Sequence, residues 1–531
     1  MTSAIAKLQE FRRELYELFF RRRDAIINLL DALTSEGRKC DSIVQLSNAS
    51  CFERQYSSVT DAIADGLPYA QWKQIRQLVY KQISVNRNGN KDWDSESNKK
   101  PHRFIIDCTP NPRPHAKTLV DRYITHMPNP APGNKPICVG HQYSVLALVT
   151  DEAIAKEKHW LIPLSAKRVG SHKKGNEVGM QQIIDSIDEL GLKNELTISI
   201  GDTLYGTEEC RKTANGQDNL VHIFRLNSKR NLFFMPTSSE QNPSQKGRKQ
   251  EFGTKMNLGD LKLHPACDHT AEIEQQGSKG KKYAVTIKCW DNMLLRGSRK
   301  FRSSQHPLNL IQITLTDEQG NAIYKKPLWL GIFGKKRHDI TLIDAYQYYS
   351  SRYDIEHFFR FGKNNLLMDA YQTSDVVHEE QWWQLCMLAY TQLYLAKETS
   401  ESLPEPWERY LPTYQNSESK PQVIASPSQA QRGFAKLLST IGTPAKDCVT
   451  RGKAPGRTLG EMQTKRESLP IIFKTKKIPE QVVKDIVSGS KEIDHLSNPQ
   501  KIDDLVNFVQ SILEKFNLTP SEFSKMLMNS S

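Results

Sequence analysis

Apolar residues recur at helical spacing through most of the first hundred positions of the chain. They alternate with charged residues most clearly in Ile5–Leu33, and shorter stretches with the same period are Ser57–Asp65 and Tyr69–Ile83. Asn86–Lys100 is rich in Asn, Lys and Ser and has the composition of a linker. The pattern therefore predicts a helical N-terminal domain over residues 1–100.

Beyond this linker, short apolar runs alternate with amphipathic stretches. The apolar runs predict strands at Arg103–Asp107, Gln142–Val149, Trp160–Leu164, Leu196–Asp202 and Val221–Leu226. The amphipathic stretches predict helices at Val178–Leu190, which Gly191 ends, and at Thr207–Ala214. Strands and helices in this order predict a mixed α/β domain, whose first part covers residues 101–234.

The α/β pattern is then interrupted and later resumes. Residues 235–325 carry polar loops and separated strands, the clearest of which are Lys282–Trp290 and Leu308–Thr316. Over residues 326–400 the pattern predicts a strand at Pro327–Phe333 and helices at about Leu342–Leu367 and Glu379–Lys397. The sequence thus predicts an α/β core in two parts, with a β-rich insertion between them.

The remainder of the chain is less regular. Residues 401–477 are rich in Pro, Ser, Gly and basic residues, as in Arg451–Arg457. This composition fits either a basic arm that lies on a polyanion or a solvated linker. Residues 478–531 contain two or three short amphipathic segments, which predict a small helical tail.

Net charge narrows the choice of partner. The 73 Lys and Arg residues exceed the 60 Asp and Glu residues by 13. This excess favours nucleic acid ahead of an anionic membrane surface, although a generally basic soluble protein has the same charge. No apolar run reaches the roughly 18 residues of a membrane span, and charged residues interrupt the apolar start of the chain, so we expect neither a membrane helix nor a signal peptide. The nine cysteines form no CxxC pair, which favours a reducing cytosol.

Four polar residues of the helix predicted at Leu342–Leu367 follow the spacing Y-x2-R-x3-E-x6-K. They are Tyr349, Arg352, Glu356 and Lys363. At about 100° per residue, their side chains fall within one sector of roughly 60°. One acid beside two cations and a phenol suits a metal-dependent enzyme that acts on a phosphate backbone, whereas a solvated helix face with an internal ion pair is the alternative.

Two further acids close predicted strands. Asp107 ends the strand Arg103–Asp107 and Asp202 ends the strand Leu196–Asp202, so both side chains would emerge at an edge of the sheet. A single acid at such a position is more often a capping or turn residue. Together with Glu356 they can converge on divalent cations, because Mg²⁺ prefers a few carboxylate oxygens together with water and substrate phosphate.

These motifs resemble those of bacterial insertion-sequence transposases of the DDE type, in the cut-and-paste class with the Y-x2-R-x3-E-x6-K signature. The signature has no gap, Asp107 lies in RFIIDCT, Asp202 lies in SIGDTLYG, and the stretch HIFRLNSKRNLF is also similar. The order of regions is similar over roughly residues 40–400, and GKAPGR (Gly452–Arg457) resembles the C-terminal arm of some members. The resemblance implies an α/β fold with a ribonuclease H-like (retroviral integrase-like) catalytic core, a helical N-terminal DNA-binding region and a basic C-terminal arm.

The resemblance also implies a reaction. Asp107, Asp202 and Glu356 would be the catalytic residues and would coordinate two Mg²⁺ ions, for which Mn²⁺ can substitute. The enzyme would bind the inverted repeats at transposon ends in double-stranded DNA, cleave them, and join their 3′-hydroxyls to target DNA. Because two ends must be brought together, a homodimer is expected in the synaptic complex. The implied location is the bacterial cytoplasm, in association with the nucleoid.

Four residues would contact DNA if the resemblance holds. Arg352 and Lys363 would bind phosphates at the transposon end, and Tyr349 would help to hold the strand near the cut. In members that form a hairpin intermediate, a Trp on the strand before the signature helix stacks on a flipped base. Trp329 lies on that strand, although its distance in sequence from Glu356 need not match that of the family.

Two other functions are compatible with the same residues. A domesticated transposase would bind DNA without cutting it, and its usual mark is a lost carboxylate, whereas all three acids are present here. A metal-dependent nuclease of the same fold would cleave DNA without joining ends.

Overall fold

A computed structural model provides the structure of the chain. It describes residues 2–87, 100–127, 136–155, 158–237, 250–276, 281–298, 300–399, 424–448, 458, 460, 462 and 465–472. All of these belong to one unit, Met1–Ile472. The helical tail predicted at 478–531 and the GKAPGR segment at 452–457 lie outside the described residues, as does much of the predicted basic arm.

The described part of the chain contains eleven α-helices. Their bounds are α1 Thr2–Glu17, α2 Arg23–Glu36, α3 Ser57–Asp61, α4 Trp72–Arg87, α5 Asp151–Ile154, α6 Gly175–Glu189, α7 Glu208–Asn215, α8 Leu342–Ser350, α9 Asp354–Asn365, α10 Val376–Leu395 and α11 Pro427–Ile441. None of these helices has the length and apolar character needed to cross a bilayer.

Twelve strands are described. Their bounds are β1 His102–Pro112, β2 Tyr123–His126, β3 Ile137–Val149, β4 Leu161–Val169, β5 Thr197–Gly201, β6 Leu220–Leu226, β7 Asn231–Phe233, β8 Lys255–Asn257, β9 His269–Gln276, β10 Lys282–Met293, β11 Leu308–Thr316 and β12 Leu328–Phe333. The strands predicted from apolar runs are all present, whereas no strand was specified at β2, β7, β8 or β9.

The helical N-terminal region is present, but its first periodic stretch forms two helices. α1 ends at Glu17 and α2 begins at Arg23, because Arg22 has a left-handed backbone with φ of 53°. α2 packs against α10, and both helices are buried over most of their length. A helix that is buried on all sides lies inside a core rather than on its surface. The N-terminal helices are therefore packed on the core.

One ten-stranded sheet forms the centre of the described structure. Along it the strands follow the order β2-β3-β1-β5-β6-β12-β11-β10-β9, and β4 also pairs with β3. β5 pairs in parallel with both β1 and β6. β3 pairs antiparallel with β1 on one side and with β4 on the other. This mixed α/β arrangement fits the ribonuclease H-like core that the family resemblance implies. All five residues of β5 are buried, as is typical of a central parallel strand.

The β-rich insertion extends the same sheet. β9, β10 and β11 pair in turn, and β11 pairs with β12, which pairs with β6 of the core. β9 is the outermost strand, and its residues are exposed or partly exposed, as expected at an edge. The insertion and the core therefore share one continuous hydrogen-bonded sheet.

Two predicted elements end differently in the structure. β1 continues to Pro112, so Asp107 lies within a strand rather than at its end; the strand continues because β3 still pairs with it up to Gly140. The helix predicted at Leu342–Leu367 is divided into α8 and α9 by a 3₁₀ turn, Ser351–Tyr353. At this break the Ser350 and Ser351 hydroxyls donate to carbonyls of the preceding turn, an interaction that bends helices.

Candidate active site

Asp107 on β1 and Asp202, the residue directly after β5, occupy equivalent positions in the register of two adjacent parallel strands. The last parallel pair between β1 and β5 is Ile105 with Ile200, and each aspartate follows two residues later. Neighbouring strands lie about 4.8 Å apart, so this register places the two aspartates side by side. Asp202 directly follows β5, where its carboxylate accepts a hydrogen bond from the Leu204 backbone N–H at 2.8 Å. The structure thus brings together two of the three predicted acids.

Arg352 connects the third acid to this pair. Its guanidinium donates one hydrogen bond to Asp107 Oδ2 at 3.1 Å and another to Glu356 Oε1 at 3.2 Å. Arg352 belongs to the 3₁₀ turn and Glu356 to the first turn of α9, so the break in the predicted helix lies directly at the site. Glu356 remains 41% exposed, whereas the Asp107 and Arg352 side chains are 18% and 17% exposed. The site is therefore open to solvent on the side of Glu356.

Negative charge accumulates around Asp107. Burial raises its pKa to about 6, the Arg352 guanidinium and the Cys108 backbone N–H oppose the rise, and the charges of Asp202 and Glu356 add to it. Arg352 therefore compensates the three carboxylates only in part.

The three acids suit a divalent metal ion. They provide only carboxylate oxygens, which are the donors that Mg²⁺ and Mn²⁺ prefer. Asp107 binds a proton unusually well because of its burial and the neighbouring negative charges, and a cation relieves the same repulsion. Asp107, Asp202 and Glu356 are thus the residues that would hold such ions.

Tyr349 and Arg225 lie next to the acids. Tyr349 is 8% exposed, and burial raises its phenol pKa while the charges of Arg352 and Arg225 oppose the rise. The parallel pair Gly201 with Phe224 places Arg225 opposite Asp202, and Arg225 is exposed. Sequence reasoning missed Arg225, although this cation interrupts the apolar strand β6.

Lys363 contacts the end of β1. Its ammonium donates to Thr109 Oγ1 at 3.0 Å and to the Pro110 carbonyl at 2.7 Å, and burial lowers its pKa. These bonds hold α9 against the strand that carries Asp107. The predicted phosphate contact would have to compete with them and stays a prediction.

Trp329 is buried on β12. Its side chain is 1% exposed, and its ring packs against Trp290 at 5.9 Å and against His264 at 5.4 Å between centroids. Its indole Nε1 has no hydrogen-bond partner among the described residues. Stacking on a base would require this indole to leave its packed position, so that role also stays a prediction.

A basic cleft follows the carboxyl end of β6. Its volume is about 320 Å³, and its lining residues are Lys229, Arg230, Asn231, Phe233, Lys255, Leu295 and Arg296. Four of these seven residues are cations and none is an acid. β5 and β6 are parallel, so their carboxyl ends lie at one edge of the sheet, and Lys229 and Arg230 follow the carboxyl end of β6. Lys229 and Arg230 belong to the HIFRLNSKRNLF stretch that the sequence singled out.

Part of the chain matches a known protein family. Residues 14–288 match the family described as DDE superfamily endonuclease. This span covers more than half of the 531 residues; it contains Asp107 and Asp202 and ends before Glu356. The comparison with curated proteins gives no match.

Proposed function

The chain belongs to the DDE superfamily endonucleases, and we propose that within this family it is a DNA transposase of the bacterial insertion-sequence class with the Y-x2-R-x3-E-x6-K signature. It binds the inverted repeats at transposon ends, cleaves them, and joins the 3′-hydroxyl ends to target DNA. The observation that carries the proposal is the position of Asp107 beside Asp202 with Glu356 linked to Asp107 through Arg352. These are the three acids of the proposed catalytic set.

The acids hold the metal ions on which enzymes of this superfamily generally depend. Asp107, Asp202 and Glu356 would bind two Mg²⁺ ions, with Mn²⁺ as a substitute. The chemistry supplied by two such ions is activation of a water or a 3′-hydroxyl and stabilisation of the leaving oxygen in an in-line displacement. Arg352 keeps Glu356 close to Asp107 and offsets part of their mutual repulsion. The same site serves cleavage and joining because both are phosphoryl transfers.

The DNA backbone follows the cations at the edge of the sheet. Arg225 is exposed opposite Asp202, and the basic cleft of Lys229, Arg230, Lys255 and Arg296 continues from the same edge. Side chains of this type bind phosphates, and Arg does so in a bidentate manner. The transposon end then runs along these cations toward the scissile position.

Tyr349, Arg352 and Lys363 act on the strand being cut. In the structure Arg352 and Lys363 donate to protein oxygens, so their phosphate contacts form by exchange of these bonds. Tyr349 adjoins Arg352 and supports its orientation. The proposal assigns these residues to the strand near the cut because they adjoin Asp107 and Glu356.

A hairpin intermediate is a separate part of the proposal. It requires Trp329 to move from its contacts with Trp290 and His264 and to stack on a flipped base. Cleavage and strand transfer do not depend on that movement. The synaptic complex is a homodimer, and the protein acts in the bacterial cytoplasm at the nucleoid.

Labelled DNA tests the proposal directly. The full chain is incubated with Mg²⁺ and linear DNA that carries the inverted repeats flanking its reading frame, together with a supercoiled target plasmid. Labelled ends joined to the plasmid are expected. Cleaved ends without joined product would identify a nuclease of the same fold, and bound but uncut ends would identify a DNA-binding protein without cleavage activity. Either of these two results overturns the proposal.

A further inference from the structure

A histidine and acid cluster lies at the start of α9, apart from the three acids. Asp354 and His357 are three residues apart on α9, so they share one face of the helix. His159 approaches them from the segment before β4. At about 100° per residue, Glu356 points away from that face. The cluster therefore faces a different direction from the candidate active site.

The geometry of the cluster points to a metal. Each of the three residues offers one ligand atom, and these three atoms all lie within 4.8 Å of one another. His159 Nδ1 lies 2.5 Å from Asp354 Oδ1, and the two imidazole rings are stacked with centroids 4.2 Å apart. We propose that His159, Asp354 and His357 bind a transition-metal ion such as Zn²⁺ or Co²⁺, at a site separate from Asp107, Asp202 and Glu356.

The charge at this site supports a cation. The Asp354 side chain is 6% exposed, and within the described ranges His159 is its ion-pair partner, with no Lys or Arg in contact. A buried carboxylate is costly unless a positive charge or several donors compensate it. A metal ion bound by Asp354 and two imidazoles supplies that compensation.

Coordination requires one of the two imidazole rings to turn. The planes of the two stacked rings make an angle of 15°. Nearly parallel rings cannot both direct a nitrogen to the same ion, so one ring has to turn first. His159 is 60% exposed, so its ring is the freer of the two to turn. Three protein ligands then leave a fourth position for water or another donor.

The ligand types separate the two sites. Imidazole nitrogen suits Zn²⁺, Co²⁺ and related ions, whereas Mg²⁺ is held by oxygen donors and water. In the presence of excess Mg²⁺, a small amount of Zn²⁺ or Co²⁺ therefore binds at His159, Asp354 and His357, and the three-acid site remains with Mg²⁺.

The site has a consequence for the active site. Glu356 lies between Asp354 and His357 in sequence, so a metal ion that ties these two residues to His159 fixes the first turn of α9. His159, Asp354 and His357 are thereby positioning residues for Glu356. This consequence rests on the proposed function, whereas metal binding itself does not.

Cobalt absorption tests the metal site. The full chain is stripped with EDTA, returned to buffer with excess Mg²⁺, and titrated with Co²⁺ while visible absorption is recorded. We expect one equivalent of Co²⁺ to give a ligand-field spectrum that Zn²⁺ abolishes. His159→Asn and His357→Asn should each lose it, whereas His126→Asn, at an exposed position on β2, should keep it.

Two further variants distinguish the sites. Asp107→Asn and Asp202→Asn should keep the cobalt spectrum; if either abolishes it, or if the His159 and His357 variants keep it, the proposed site is wrong. Thermal unfolding without metal shows whether the His variants fold as the wild type does. Zn²⁺ should raise the melting temperature of the wild type and of His126→Asn, and an equal rise in His357→Asn would also overturn the site. Failure of DNA cleavage leaves these results unaffected.

Discussion

Arg352 donates a hydrogen bond to Asp107 at 3.1 Å across 245 residues of sequence. The same guanidinium reaches Glu356 at 3.2 Å, so one side chain on the 3₁₀ turn between α8 and α9 links the first and third acids. The second acid is placed by strand register instead, since Asp202 directly follows β5, which is parallel to the strand that carries Asp107. The candidate active site thus depends on one ion-pair bridge and one sheet register.

Removing any one acid should abolish DNA cleavage. Asp107→Asn, Asp202→Asn and Glu356→Gln each take away a proposed metal ligand while keeping the size of the side chain. We expect at least a 10²-fold to 10³-fold loss of cleavage, on the order of the loss when one strong transition-state interaction is removed, and end binding within a few-fold of the wild type. Gel assays of cleavage and binding on the same labelled end measure both.

An exposed acid on the far edge strand provides the control. Glu274→Gln on β9 makes the same chemical change away from the site and should leave cleavage intact. Normal cutting by Glu356→Gln would show that the active site is assigned wrongly.

The stability of the metal-free protein should depend on pH through Asp107. Its pKa is raised from an ordinary 3.8 to about 6 in the folded chain, so unfolding releases a proton between these values and stability falls as pH rises. Above about pH 6 the carboxylate is charged in both states and the penalty is complete. Asp107→Asn removes this penalty. Between pH 4 and pH 7, the free energy of unfolding of the variant should therefore increase by on the order of 1–3 kcal/mol relative to that of the wild type.

Urea unfolding in EDTA at a series of pH values measures this difference. The prediction concerns how the difference in the free energy of unfolding changes with pH. The loss of the Arg352 hydrogen bond shifts this difference by the same amount at every pH and does not affect the comparison. Asp121→Asn is a suitable control. The pKa of Asp121 is lowered in the folded chain, so the stability that Asp121 contributes should rise with pH instead of falling. A difference between wild type and Asp107→Asn that does not vary with pH would contradict the assignment.

The basic cleft should determine the salt dependence of DNA binding. Lys229→Gln, Arg230→Gln, Lys255→Gln and Arg296→Gln each remove one cation from its lining. The logarithm of the DNA-binding constant falls linearly with the logarithm of the salt concentration. A variant that loses one phosphate contact should show a slope whose magnitude is smaller by about 1. Fluorescence anisotropy with a labelled end over a salt series measures the slope.

Lys193 offers a control with the same change of charge. It is 68% exposed and precedes the amino end of β5, opposite the edge that carries Asp202. Lys193→Gln should leave the slope unchanged. If it lowers the slope as much as the cleft variants do, net charge rather than the cleft governs binding.

Two neighbouring glutamates should respond to neutralisation in opposite ways. Burial would raise the pKa of Glu379, but hydrogen bonds and charges from His141 and Arg113 outweigh it and the pKa is lowered. For Glu380 burial prevails over Arg168 and the pKa is raised. Glu379→Gln should therefore cost about 3–5 kcal/mol at pH 7, because it leaves a buried cation without its partner. Glu380→Gln should be neutral or stabilising.

Chemical denaturation of the two variants under the same conditions tests this contrast. The stability contributed by Glu379 is present above the carboxyl pKa of the unfolded chain and is lost as pH falls through its lower folded pKa. The destabilisation of Glu379→Gln should thus shrink in acid. Equal effects of the two substitutions at pH 7 would show that the buried network around Glu379 does not act as its hydrogen bonds indicate.

Trp329 should matter more for a hairpin than for the first nick. Trp329→Ala removes a buried ring at a cost of about 3–5 kcal/mol, so the variant must first be shown to be folded. Trp329→Phe keeps an aromatic face and should retain more hairpin product than Trp329→Ala. Trp290→Ala removes the neighbouring ring and is the matched control. Nick and hairpin products are separated on denaturing gels, and equal loss of both would count against base stacking.

Much of the fold could be predicted from local patterns. Apolar runs identified the core strands, and the mixed α/β core and the β-rich insertion were both expected. The pattern did not show that β1 continues past Asp107, because pairing with β3 extends it. Nor did it show the break at Ser351–Tyr353, which serine hydroxyls favour by bonding to the preceding turn.

The sequence by itself determined which residues are candidates for the chemistry: three acids, the cations and phenol around them, and an excess of positive charge. Tertiary structure alone decided which of them meet. Arg352 bridges Asp107 and Glu356, Lys363 bonds to β1, Trp329 is packed among aromatic rings, and His159 lies against Asp354. The reason is physical: periodicity reports each segment's own exposure, whereas strand register and side-chain pairing arise only when distant segments pack together.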